Sequence, residues 1–149
     1  MPKDLDIAID LMTRGAELGC ADSQHMLGDT YMTGNGVAKD PKKAEQFYQQ
    51  AAMQGHMLAR HELGTLERER GNMERAKQHY MIAGRAGLAV SMGHLRVGRE
   101  SGNSIITGKP YVTKEEYDET RRIHEAVRNE MRSFAREKAQ LFFEKHCNK

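Results

Sequence analysis

The sequence has few of the residues that build cross-links or metal knuckles. It contains no tryptophan, three prolines, two cysteines and 6% aromatic residues in a total of 149. Cys20 and Cys147 are too few and too far apart to indicate a disulfide framework or a Cys-x-x-Cys metal site. We therefore expect a reducing compartment and no bound metal.

Long apolar runs and blocks of one charge are also missing. No segment approaches the ~20 apolar residues that span a bilayer. The N-terminus MPKDLDIAID carries acids where a signal peptide needs a basic and then an apolar region. We expect an intracellular, cytoplasmic protein without membrane insertion. The net charge is +2 with both signs interleaved, so the basic footprint of a nucleic-acid binder is absent and no nucleic-acid partner is expected.

What the sequence does contain is a repeat. In three places a glycine is followed eight residues later by a leucine: Gly19 and Leu27, Gly55 and Leu63, Gly87 and Leu95. The spacing between the glycines is 36 residues (19 to 55) and then 32 (55 to 87). The difference falls in one loop, because GNGVAKDPKKA (34–44) is replaced by the shorter RGNMERA (70–76). A stacked helical repeat tolerates length changes in such a loop.

Each repeat predicts two helices, A and B. The middle helix A covers 57–69, with apolar residues near one face. Helix B of the preceding unit begins after Asp40, which can cap free amides, and Pro41 is tolerated at the first helical position. Asn72 is the equivalent cap of the next helix B. The glycines of GNGV provide positive φ between two helices, because a phosphate loop needs a preceding strand and GK[ST] or GxGxxG spacing.

The stretch LGDTYMTGNGVAKDPKKAEQFYQQAAMQGHMLA (27–59) resembles the Sel1-like repeat, a relative of the tetratricopeptide repeat. The resemblance implies an all-α fold, an α/α superhelix (solenoid) of antiparallel helix pairs. It is weaker over 60–100, where Glu67 occupies the tyrosine position and Arg96 the second glycine position of helix A. The structural positions of the repeat are Leu27, Gly28, Tyr31, Gly34, Gly36, Asp40, Ala44, Tyr48, Ala52, Gly55, Leu63, Gly64, Ala76 and Gly87.

Two regions follow from this reading. Residues 1–100 form a repeat array with helix B of a partial unit, one full unit, one short-loop unit and a final helix A. Residues 101–149 form a loop and a long C-terminal capping helix, with Thr113 and Glu116 as a capping box. The C-terminal helix is either continuous or broken near Ser133. Alternatively the distal part, 134–147, docks on another chain through Phe134, Leu141, Phe142 and Phe143 and drives dimerisation.

The histidines do not indicate catalysis or a metal. His25 and His61 occupy equivalent positions in successive helices A, which pack ~8–10 Å apart, so their side chains form a row. A zinc site needs several ligands near 2 Å from one point. We interpret His56, His79 and His94 as structural, and no GxSxG context surrounds a serine. The chain is expected to be no enzyme and to need no cofactor.

The candidate site is a groove. In tetratricopeptide-like superhelices the helices A line the concave surface. If this chain follows the resemblance, the helix A positions that face the groove form three rows across the stack. The rows are His25, His61 and Gly93; Asp29, Thr65 and Val97; and Met32, Arg68 and Glu100. Their mixed polarity favours a protein or peptide segment over a polyanion. We therefore expect a non-catalytic protein–protein interaction scaffold or adaptor, either a monomer or a weak homodimer. The alternatives are an oligomerisation module using the C-terminal helix, or a fragment of a larger regulatory or ubiquitin-pathway protein.

Overall fold

A computed structural model describes residues 3–100 and 110–147, with the side chains of residues 4–100 and 110–142. The regular elements in these ranges are all α-helices, so the chain is all-α as predicted. Their bounds are α1 Lys3–Glu17, α2 Ala21–Thr33, α3 Pro41–Met53, α4 Met57–Glu69, α5 Met73–Arg85, α6 Ala89–Glu100 and α7 Lys114–Cys147. Of the predicted loop 102–110, all but Pro110 lies outside the described residues. The chain forms two compact units, residues 1–83 and 84–149.

The boundaries of the helices follow from their capping residues. α3 begins at Pro41 because the Asp40 carboxylate accepts a hydrogen bond from the Lys43 amide at 3.1 Å. α2 ends where Gly34 adopts a left-handed conformation with φ of 76°, and its amide donates to the Thr30 carbonyl. At the start of α5 the predicted side-chain cap is not formed, because the Asn72 side-chain amide donates to Glu67 Oε2 at 2.8 Å, while the Asn72 carbonyl accepts from the Ala76 amide.

The core of the first unit consists of small residues packed against tyrosine rings. Ala44, Tyr48, Ala52 and Leu63 belong to one buried cluster. A methyl group on Gly28 would overlap the Tyr48 ring, so this position of α2 needs glycine for the close approach of α3. The next repeat has the same contact, because a methyl group on Gly64 would lie 2.9 Å from the Tyr80 ring.

The second unit keeps this glycine–tyrosine contact with different residues. Arg96 occupies the expected glycine position, but Gly98, two residues later, lies against the ring of Tyr111. Tyr111 precedes α7, and its hydroxyl donates to the His94 carbonyl at 3.4 Å. The contact is therefore retained, although its tyrosine comes from the segment before α7.

The first half of α7 is packed within the second unit, whereas its second half is exposed. Thr113 and Glu116 form the predicted capping box, with Glu116 Oε2 accepting from the Thr113 amide at 2.9 Å and Thr113 Oγ1 accepting from the Glu116 amide at 3.2 Å. Thr120 and His124 are buried, and His124 Nδ1 lies 2.8 Å from the Gly84 carbonyl. The helix continues through Ser133 without a break.

Candidate functional site

Six of the predicted binding residues lie on helices A of the first unit, three on α2 and three on α4. We call this set the helix-A face: His25, Asp29, Met32, His61, Thr65 and Arg68. Its members differ in exposure. The Asp29 side chain is 52% exposed and Arg68 is exposed, whereas His61 is buried at 7% and His25 retains 14% of its side-chain area. Asp29 and Arg68 are thus the accessible charges of the face.

His25 is held in a packed group of rings between α2, α3 and α4. Its imidazole stacks on His56 with ring centroids 4.6 Å apart and lies 5.8 Å from the Tyr48 ring. Burial lowers the pKa of His25, while the nearby Asp29 carboxylate partly opposes that effect. His25 therefore acts mainly as a neutral packing group at pH 7.

His56 links the start of α4 to α2. Its Nδ1 accepts the Ala59 amide at 3.1 Å, so Nδ1 is unprotonated and the proton of the neutral ring is on Nε2. Nε2 lies 3.1 Å from Asp22 Oδ1 and donates to it. The interpretation of His56 as a structural residue agrees with this N-cap geometry.

Asp29 is the most constrained charge of the helix-A face. The Tyr48 hydroxyl donates to Asp29 Oδ1 at 2.7 Å, and burial together with this bond raises the pKa of Tyr48. Burial, followed by the charges of Asp29 and Glu69, raises the pKa of Glu62 on α4. Three carboxylates therefore crowd one side of the face, and a cation placed between them would relieve their repulsion.

The next repeat carries a neutral version of the same arrangement. Thr65 replaces Asp29, and its hydroxyl lies 3.2 Å from the Tyr80 hydroxyl. His61 packs on the Tyr80 ring with centroids 5.2 Å apart. The face is thus acidic at α2 and neutral at Thr65, with the basic Arg68 one turn further along α4.

The other predicted binding residues belong to the second unit and lie on α6. Val97 is 52% exposed, and a methyl group on Gly93 would meet no atom within 4 Å. Glu100 pairs with Arg96 at 3.5 Å and with Arg99 at 3.1 Å. These residues are solvated positions at the surface of their own unit.

A cavity that was not predicted as a site lies between α3, α4 and α5. Its volume is about 240 Å³, and we call it the α3–α5 cavity; its lining includes Glu45, Gln49, Arg60, Leu63, Glu67 and His79. The equivalent cavity of the preceding repeat, about 360 Å³, is lined by Tyr31, Lys43 and Phe47 among others. There the Tyr31 and Phe47 rings stack with centroids 5.7 Å apart. Glu67 and His79 stand where the first repeat has these two aromatic rings.

The sequence did carry a signal for this cavity. Glu67 departs from the repeat at the tyrosine position, and His79 aligns with Phe47. Taken separately, each of these two substitutions is only a weaker match to the repeat pattern. What the sequence does not show is that both substitutions face one space together with Arg60.

The comparisons with known proteins agree with these repeated contacts. Residues 1–20 and 21–56 match the family model of the Sel1 repeat. These residues are Sel1-like repeats. No curated protein matches the chain.

Two solved structures resemble most of the chain. One is c5321, described as a protective antigen of uropathogenic Escherichia coli displaying an SLR fold, with 27% identity and a TM-score of 0.61. The other is a Sel1 repeat protein from Oxalobacter formigenes, with 27% identity and a TM-score of 0.63. Each likeness covers 79% of this chain, but only 25% of the first protein and 48% of the second. The chain thus spans a quarter and about half of their lengths.

The Sel1-like repeats establish the fold class as an α/α solenoid. Proteins with such repeats are generally protein-interaction scaffolds and typically non-catalytic. Within residues 3–100 and 110–147, no group of three or more His, Cys, Asp or Glu side chains is arranged to hold a metal ion. None of the helices in the same ranges is both long and apolar enough to cross a membrane.

Proposed function

We propose that this chain is a non-catalytic adaptor whose helix-A face binds a segment of a partner protein. The observation that carries the proposal is the exposed carboxylate of Asp29, to which the buried Tyr48 donates a hydrogen bond of 2.7 Å. The Asp29 side chain is half exposed, and the pKa of Glu62 is raised by burial and by its acidic neighbours. A basic side chain of the partner would lie against these carboxylates and favour the charged form of Glu62.

The rigidity of the face supports the same role. Tyr48 and Tyr80 are buried and fix Asp29 and Thr65 by hydrogen bonds, so the polar groups are oriented before a partner arrives. Binding to such a preformed surface costs less conformational entropy than ordering a loop. An extended or helical segment with one basic residue near Asp29 and an acidic residue near Arg68 fits this charge pattern.

Selection from a random-peptide display library followed by affinity measurement tests the proposal. We expect the native protein to enrich peptides with a basic residue, and the variant Asp29→Asn/Glu62→Gln to bind them about tenfold or more weakly. Asparagine at position 29 still accepts the Tyr48 hydroxyl, so the fold is preserved. The matched control Asp6→Asn/Asp10→Asn removes the same charge from exposed positions of α1. Equal binding by all three proteins, or no enrichment, would reject the helix-A face as the binding site.

A second function is supported by a separate observation in the other unit. Met131, Phe134, Leu141 and Phe142 on the distal half of α7 are each 57% to 60% exposed. Apolar side chains at these spacings can pair with a second copy of the helix. Self-association through α7 is therefore the alternative function, and light scattering over a range of concentration tests it.

A further inference from the structure

The α3–α5 cavity lies on a different side of α4 from the helix-A face. One side of α4 faces the cavity and carries Arg60, Leu63 and Glu67, which project within one third of a helical turn of each other. Another side of the same helix carries His61, Thr65 and Arg68. What the cavity binds is therefore independent of the function proposed above. At the positions of Glu67 and His79 the preceding repeat has the stacked rings of Tyr31 and Phe47.

Both carboxylates of the cavity already have cationic partners. Glu45 receives two hydrogen bonds from the Arg70 guanidinium, one of them at 2.8 Å, and this pairing lowers the pKa of Glu45. Glu67 accepts from Asn72 at 2.8 Å and from Arg70 at 3.3 Å, and Arg75 lies 4.0 Å from it. Neither acid needs a further donor.

The remaining polar side chains of the lining include the Arg60 guanidinium and the His79 imidazole. Arg60 NH2 donates to the Ala52 carbonyl at 2.9 Å, and the guanidinium forms no ion pair with a carboxylate of the described residues. His79 Nδ1 is buried and has no hydrogen-bond partner among the described residues. A buried imidazole nitrogen without a partner costs free energy that a ligand can recover. The charged groups in and beside the cavity carry one excess positive charge, because there are three arginines, Arg60, Arg70 and Arg75, and two glutamates, Glu45 and Glu67.

The remaining lining limits the size of the occupant. Leu63 is 5% exposed and provides an apolar surface beside the polar groups. The volume of about 240 Å³ is below the roughly 300–1,000 Å³ of pockets for drug-sized ligands. The occupant is therefore a single side chain or a small acid. We propose that the α3–α5 cavity binds a carboxylate on a short aliphatic stem, held by the Arg60 guanidinium and the His79 imidazole.

The experiment uses nuclear magnetic resonance on the whole chain, following the ring nitrogens of His79 and the Nε of Arg60. The probes are N-acetyl-glutamate α-amide, its neutral analogue N-acetyl-glutamine amide, and glutarate. We expect saturable shifts of both side chains with the two acids, and about tenfold or weaker affinity for the neutral amide. Tighter binding of the glutamate derivative would identify a partner's acidic side chain as the source, and tighter binding of glutarate a free small acid.

The preceding repeat supplies the variants. Arg60→Gln introduces the residue found at the equivalent Gln24, whose amide contacts the Ala16 carbonyl, so the packing role is kept while the charge is lost. Glu67→Tyr/His79→Phe copies the aromatic pair Tyr31 and Phe47. We expect about tenfold weaker binding in the first variant and none in the second. Arg14→Gln, the same charge change at an exposed position of α1, should bind like the native protein.

Three outcomes would overturn the proposal. They are no saturable shift of His79 with either acid, equal affinity for the acidic and the neutral probe, and undiminished binding by Glu67→Tyr/His79→Phe. Far-ultraviolet circular dichroism establishes that each variant folds. Because peptide binding to the helix-A face is measured with other ligands and other variants, failure of one proposal is distinguishable from failure of the other.

Discussion

Single residues set how closely the helices of this protein approach, and Gly28 is the clearest case. A methyl group there would lie inside the contact distance of three atoms of the Tyr48 ring. The ring has no room to move, because Tyr48 is 2% exposed and its hydroxyl is bound to Asp29. Overpacking a core costs about 1–3 kcal/mol, whereas alanine in a helix gains up to about 1 kcal/mol over glycine.

The two effects predict opposite results at two glycines of the chain. Gly28→Ala should lower the free energy of unfolding by about 1 kcal/mol, because steric overlap outweighs helix propensity. Gly93→Ala is the matched control, because a methyl group there meets nothing within 4 Å, and it should be neutral or stabilising. Urea unfolding followed by circular dichroism measures both. A Gly28→Ala protein as stable as the native one would contradict the tight glycine–tyrosine contact.

The bounds of whole helices can be predicted from the sequence more readily than the residues of the candidate site. Helix α4 has the predicted bounds, and α3 begins at the predicted proline, because capping and apolar spacing act within a few residues. His124 was missed, since its position on the buried side of α7 depends on the approach of the Gly84 carbonyl from α5. The α3–α5 cavity was missed for the same reason. Its members come from three helices and meet only after packing.

The start of α7 depends on its capping box. Thr113 and Glu116 satisfy one another's backbone amides, and the adjoining Val112 is fully buried, so the first turn is fixed to the second unit. Thr113→Ala should cost about 1 kcal/mol of stability, and Thr113→Ser should cost little, because serine caps as well as threonine. Hydrogen exchange of the first-turn amides of α7 reports the effect. Equal protection in the native and alanine proteins would show that the cap is not what fixes this turn.

At the scale of the whole molecule, the distal half of α7 decides between a monomer and a dimer. Its exposed apolar residues include Met131, Phe134 and Leu141, which lie on one side of the helix at spacings of three and seven. Stable interfaces bury about 1,200–2,000 Å², and we expect a surface of a few exposed apolar side chains on half a helix to bury less. Association through this surface alone should therefore be weak and dependent on concentration.

Light scattering over a range of concentration measures this association. We expect the mass of the native chain to rise from 16.9 kDa towards twice that value only at the highest concentrations, as mass action requires of a weak dimer. Met131→Gln/Phe134→Gln should remain at 16.9 kDa because it removes the apolar surface. Arg136→Gln, on the opposite side of α7, should associate like the native chain. A native mass that never rises would leave the helix-A face and the α3–α5 cavity as the surfaces through which this protein acts.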